Sequence, residues 1–140
     1  MEELPEEATD AVLRQMGYGF LGLATGDRPY VIPMSFGYDG TELFFQMNAE
    51  GRKYDFIESR TLACFTVFSF EPETGRSRSI IVDGIMEEIP EDETSAAYEA
   101  LADNANFGTD LDIWGKPLES STPILFVLRP DEITGRAFGT

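Results

Sequence analysis

Tyr30-Val31-Ile32-Pro33-Met34-Ser35-Phe36-Gly37-Tyr38-Asp39-Gly40 is the stretch on which the fold turns, together with the run Glu42 to Asn48 that follows it. Tyr30, Ile32, Met34, Phe36 and Tyr38 alternate, so an extended chain from Tyr30 to Tyr38 carries all five on one face. Asp39-Gly40 supplies the residue types that enter the tight backbone of a hairpin. A strand, a turn and a returning strand from Glu42 to Asn48 are therefore expected. Upstream, Tyr18 to Ala24 is a further strand-like run, joined to Tyr30 through Thr25-Gly26-Asp27-Arg28, a turn by composition. These three runs predict an antiparallel meander. Pro33 has no amide hydrogen for a ladder, so the middle run reads as an edge strand or as one with a bulge.

Working outward, Glu6 to Met16 reads as an amphipathic helix, with Leu4, Ala8, Val12 and Met16 at helical spacing and Gly17 and Gly19 at its end. Ala49 to Arg60 reads as a second helix with Tyr54 and Ile57 inward. Strands are expected over Leu62 to Phe70 and Ser77 to Glu88, joined by the turn Glu71 to Gly75. A third helix spans about Glu91 to Ala105, with Ala97, Tyr98, Leu101 and Ala105 on one side. A loop carries Trp114 and Pro117. The last strand is Pro123 to Arg129, and Glu132 to Phe138 adds a short final one. The fold class is mainly β, a β-barrel of six to seven antiparallel strands with flanking helices, in one domain spanning residues 1–140. Several strands are apolar on both faces, which requires a helix or a second subunit to cover one of them.

Composition narrows the function. The chain has 26 acidic and 10 basic residues, a formal net charge of -16, and no histidine. Such a surface repels nucleic acid, whose binding needs clustered Lys and Arg, and it repels anionic lipid. No apolar run approaches the ~20 residues of a membrane span. The first ten residues lack the basic and apolar regions of a secretory signal, so a cytoplasmic protein is expected. Without histidine there is no Ser-His-Asp or Cys-His machinery and no zinc site of the Cys/His kind. The one cysteine, Cys64, lies in an apolar run and reads as a buried small hydrophobe. The acid-rich, lysine-poor composition resembles that of halophile proteins, whose self-repulsion is screened by concentrated salt. An acidic face for a basic partner is the rival reading.

Arg52 and Lys53 follow Gly51 at the start of the second expected helix, with Arg60 further on. Free amide hydrogens at a helix start favour an anion, and two adjacent cations make a phosphate site there. Pairing with Glu50, Asp55 and Glu58 is the structural alternative. Pro33 interrupts a ladder and leaves backbone groups free for the polar edge of a planar ligand, or simply marks an edge strand that resists aggregation. Gln46 and Asn48 share a face just before Gly51-Arg52-Lys53 and either line the same pocket or form an exposed strand face.

Taken in order, Tyr30 to Gly40, Leu43-Phe44-Phe45-Gln46 and Glu50-Gly51-Arg52-Lys53 resemble the pyridoxamine 5′-phosphate oxidase-related flavoproteins with the FMN-binding split β-barrel, especially the nitroimidazole-resistance-like branch. Ser79 to Gly84 and Ile124 to Arg136, which contains Glu132-Ile133-Thr134-Gly135-Arg136, extend the resemblance over nearly the whole chain. The resemblance implies a homodimer with FMN at the subunit interface and an oxidoreductase acting on a small-molecule substrate or electron donor. By position, Arg52 and Lys53 would hold the phosphate. Pro33, Met34 and Ser35 would face the isoalloxazine edge, largely through backbone. Gln46, Met47 and Asn48 would line the ribityl and ring region. Ser79 is a neighbouring candidate, and Trp114 would cap the flavin or anchor a loop. Many relatives carry histidine where this chain has Gln46, which keeps a donor and an acceptor but does not titrate near neutrality. The alternatives implied are an F420-dependent reductase and a non-catalytic flavin carrier or redox sensor.

Overall fold

The computed structural model describes residues 2–48, 60–103 and 123–139. Its elements run β1 (Glu2–Glu3), α1 (Glu6–Gln15), β2 (Tyr18–Thr25), β3 (Arg28–Ser35), β4 (Gly37–Tyr38), β5 (Leu43–Asn48), β6 (Arg60–Phe70), β7 (Ser77–Glu88), a 3₁₀ turn (Glu91–Glu93), α2 (Ser95–Ala102) and β8 (Pro123–Phe138). All pairings are antiparallel, in the order β3-β2-β6-β7-β8-β5-β4, with β1 added to β8. The two ends of this order, β3 and β4, are consecutive in the chain with only Phe36 between them. The chain itself therefore closes the sheet into a barrel at Phe36, whose amide donates to the Gly17 carbonyl at 3.2 Å.

Alternation fills the barrel. Leu21, Leu23, Ile32, Met34, Phe36, Leu43, Phe45, Met47, Phe65, Val67, Ile80, Val82 and Phe126 point inward and form one cluster. Phe65 sits between Phe36 and Phe45, edge to face with both at centroid distances of 5.0 and 5.1 Å, a favourable quadrupolar arrangement. Helix α1 buries Thr9, Val12 and Leu13 and lies against β7 and β8. Helix α2 packs Ala97, Ala100 and Leu101 on Phe44, Leu125 and Val127, the outward residues of β5 and β8.

The barrel class, the helix from Glu6 and the strand Ser77–Glu88 follow the sequence expectations, and four points differ. The strand expected over Tyr30 to Tyr38 breaks at Phe36, so β3 pairs with β2 while β4 pairs with β5 and no meander forms. The two closing strands are one, Pro123–Phe138, bent at an irregularity opposite Asp83 and Gly84. The helix expected from Glu91 is a 3₁₀ turn followed by α2, and Tyr98 is half-exposed rather than inward. Cys64 is half-buried on the outer face beside Asp83, because β6 turns Ala63 and Phe65 inward instead. Arg60 begins β6. The expected helix over Ala49 to Ser59 lies outside the described residues, as do Ala105, Trp114 and Pro117.

Candidate functional site

A strand has two edges, and β3 uses one. It pairs with β2 from Arg28 to Ser35, and among the described residues its other edge carries no ladder. β5 pairs with β8 along its whole length but with β4 only at Gly37↔Phe44 and Tyr38↔Leu43. Continued backward, that register would set Ser35 opposite Gln46 and Pro33 opposite Asn48. β3 departs toward β2 instead, so the barrel is split between β3 and β5 just where the two strands would have met. The lips of the split are Pro33-Met34-Ser35 and Gln46-Met47-Asn48, the two segments singled out in the sequence.

The strand period then sorts the side chains. Met34 and Met47 are inside the barrel core, so only their backbones face the split. Pro33 is exposed and Ser35 and Gln46 are half-buried, all on the outer face. The open edges carry backbone N–H and C=O groups, and Gln46 adds an amide donor and acceptor. A planar heterocycle with alternating donors and acceptors on its edge matches this set.

Beside the β3 lip stand two aromatics that the sequence reading did not assign. Tyr18 pairs with Ser35 and Phe20 with Pro33, and their side chains remain 53% and 45% exposed. The available signal was that β2 is apolar on both faces, with Leu21 and Leu23 inward and Tyr18 and Phe20 outward. They give the split an aromatic shoulder.

Three arrangements hold the segments next to the lips. Tyr38 on β4 donates to Asp10 Oδ1 at 2.9 Å, and Arg14 donates to Asp10 Oδ2 at 2.8 Å while lying 5.4 Å from the Tyr38 ring centroid. The Arg14 hydrogen bond holds the Asp10 carboxyl below its ordinary range against the opposing effect of burial, with Tyr38 helping. Burial, then the Asp10 carboxylate, pushes the Tyr38 phenol up, so it stays a donor. At Gly37 a side-chain carbon would fall 2.6 Å from Ala100 C and Leu101 N, so glycine lets α2 rest directly on β4. On the far side, Arg129 bridges Glu42 at 3.1 Å and Glu87 at 3.0 Å.

Not every expected residue comes to the split. Ser79 lies on β7, separated from β3 by β2 and β6, with Phe68 and Arg136 as its neighbours. Arg52, Lys53 and Trp114 lie outside the described residues. A wide cleft of about 950 Å³ between α1 and β8 is lined by Glu6, Glu7, Asp10, Asp131 and Glu132, a potential that disfavours a phosphate-bearing ligand there. Among the described residues no helix is long and apolar enough to cross a membrane, and no cluster of three metal-ligating side chains occurs.

The sequence pattern of the pyridoxamine 5′-phosphate oxidase family matches residues 5–137. No curated protein matches the chain. Solved structures share the fold at low identity. An FAD-binding protein from Mesorhizobium loti superposes with a TM-score of 0.76 at 21% identity, covering 99% of this chain and 98% of its own. The FAD binding protein from Mycobacterium smegmatis gives 0.75 at 16% identity over 100% of both chains. The FAD and heme binding protein from Mycobacterium smegmatis gives 0.76 at 17% identity, covering 97% of this chain and 73% of that one.

Proposed function

The chain belongs to the pyridoxamine 5′-phosphate oxidase family, and from that premise we propose that it is an FMN-binding oxidoreductase whose flavin lies in the split between β3 and β5. The observation that carries this reading is the convergence of Pro33-Met34-Ser35 and Gln46-Met47-Asn48 on facing open strand edges. When bound, the flavin supplies hydride or electron transfer to a small-molecule substrate, and the protein supplies position and electrostatics. The backbone of β3 orients the polar edge of the ring. Gln46 holds the ring through its amide, and it neither accepts nor releases a proton near neutrality. The chain has no histidine, so no imidazole exchanges a proton with the bound ligand near pH 7. Arg52 and Lys53 hold the phosphate in this reading.

The protein is a homodimer in the same reading. Leu62 is 72% and Val31 66% exposed, and Phe68, Phe70 and Phe138 stand out from the same outer face. So much apolar surface on one side of a sheet marks an interface.

The test is the absorption spectrum of the purified protein followed by chromatography of the released chromophore. FMN supports the proposal. FAD, which the similar Mesorhizobium and Mycobacterium proteins are described as binding, is the second reading and would require room for an adenylate beyond the phosphate. F420 would keep the site and change the redox partner. A colourless protein that takes up no added flavin overturns the proposal. Turnover of reduced nicotinamide with a panel of acceptors separates an enzyme from a flavin carrier.

A further inference from the structure

The outward residues of β6, β7 and β8 form rows set by the register. They are Phe70–Ser77–Phe138, Phe68–Ser79–Arg136, Thr66–Ile81–Thr134, Cys64–Asp83–Glu132 and Leu62–Ile85–Arg129. The face is apolar at both ends, with Phe70 57% and Leu62 72% exposed. It is charged at three places, of which Arg129, in the Leu62 row, is bridged within the chain to Glu42 and Glu87. Arg136 stands one row to one side of Ile81, and Asp83 and Glu132 stand side by side one row to the other. Within the chain, Arg136 donates to the Gly135 carbonyl at 3.1 Å and reaches the exposed Glu3 only at 3.9 Å.

Two identical sheets that pack face to face are related by a two-fold axis lying in the plane between them. An axis along the strands lays each row on itself and sets β8 of one copy over β6 of the other. Arg136 would then be buried against Phe68, and Glu132 against Cys64. Both charges would lose water without gaining a counter-charge, which is costly. An axis across the strands, along Thr66–Ile81–Thr134, reverses the order of the rows. Arg136 then meets Glu132, with Asp83 adjacent. Ile81 meets Ile81, and Phe70 meets Leu62. Arg136 and Glu132 gain opposite charges and Phe70 gains an apolar partner. Arg129, already bridged to Glu42 and Glu87 within its own chain, lies over Phe138 in this arrangement and over Leu62 in the other, so it does not separate the two. The sheet twist turns this superposition by some tens of degrees without changing which rows oppose.

We infer that this face docks a second copy of the chain with its two-fold axis across the strands, so that Arg136 of each copy pairs with Glu132 of the other. The inference rests on the homodimer reading above and specifies its register. For two copies that each carry a net charge of -16, the reciprocal pair is a local attraction acting against general repulsion. It selects one orientation among those the apolar surface allows.

The experiment is sedimentation equilibrium of the wild type, Arg136→Glu, Glu132→Arg, an equimolar mixture of these two, and the double variant. The wild type is expected to be a dimer. Each single variant should weaken association about tenfold or more. The mixture should reassemble, because every cross-contact then joins opposite charges, and the double variant should recover for the same reason. Singles that associate like the wild type, or a mixture that does not recover, overturn the pairing and leave the homodimer standing. A monomeric wild type overturns both. Circular dichroism checks the fold of each variant. If a charge reversal unfolds the protein, Arg136→Gln and Glu132→Gln serve instead: each should weaken the dimer, and together they should cost less than the sum of their separate effects. Additive effects overturn the pairing.

Discussion

Tyr38 and Asp10 are 28 residues apart in sequence and 2.9 Å apart in space, joined by a hydrogen bond from the phenol to the carboxylate. That bond ties β4 to α1. It matters because β4 is only two residues long and must hold the end of β3 while β3 swings away to open the split.

Tyr38→Phe removes this bond and keeps the ring. A loss of about 0.5–1.5 kcal/mol in urea unfolding is expected, since the bond has a charged acceptor that solvent partly screens. Asp10→Asn also removes the contribution of a carboxyl held low by Arg14. A group whose folded pKa is depressed stabilises above its unfolded value, and that stability is lost as pH falls through the folded value. The stability difference between wild type and Asp10→Asn should therefore be constant at neutral pH and shrink in acid, below the ordinary carboxyl value of 3.8. A difference that does not change down to the acid transition would remove Asp10 from the account.

Gly37→Ala tests the close approach of α2 to β4. A Cβ at 2.6 Å from the backbone of Ala100 and Leu101 forces the helix outward. Helix α2 covers Phe44, Leu125 and Val127, so the shift should cost about 1–3 kcal/mol. Retained flavin should fall with it, because Gln46 lies on the same face of β5 as Phe44. Unchanged stability would mean that α2 adjusts without cost.

Much of this was legible in the sequence because it depends on the strand period and on turn chemistry. Tyr30, Ile32, Met34, Phe36 and Tyr38 do face one core, and Pro33 does mark an edge strand. Asp39 accepts from the amides of Thr41 and Glu42, as its turn position suggests. The break at Phe36 was not legible. Its alternation continues unbroken through Tyr38, and only the competition between β2 and β5 for the same strand reveals the split. Pairing partners are a long-range property that local pattern does not carry. The outward setting of Cys64 is hidden for a related reason: every residue of its run is apolar or small, so composition does not say which alternate set faces inward. Tyr18 and Phe20 were hidden in the same way.

Gln46 is the residue on which enzyme and carrier readings divide. It is half-buried on the outer face of β5, opposite Leu125, outside the barrel core. Gln46→Ala should leave unfolding stability within about 0.5 kcal/mol and weaken flavin binding measurably in fluorescence titration. Gln46→His should introduce a titration near pH 6.5 into flavin affinity or turnover, about the value of an unperturbed imidazole. Equal flavin affinity in all three proteins would place the ring away from β5.

Cys64 offers a test of the outer face that needs no flavin. Burial raises its thiol pKa, and the neighbouring Asp83 carboxylate raises it further. The thiolate is the reactive form, so alkylation by iodoacetamide at pH 8 should be slow for a cysteine that is not deeply buried. Asp83→Asn removes the carboxylate and should speed the reaction by lowering the thiol pKa, with the pH–rate curve moving to lower pH. The same curve reports on assembly. If a second copy covers this face, dilution into the monomer range should raise the rate, because the reagent then reaches a thiol the dimer hides. A rate independent of both Asp83 and protein concentration would separate Cys64 from the carboxylate and from the interface together.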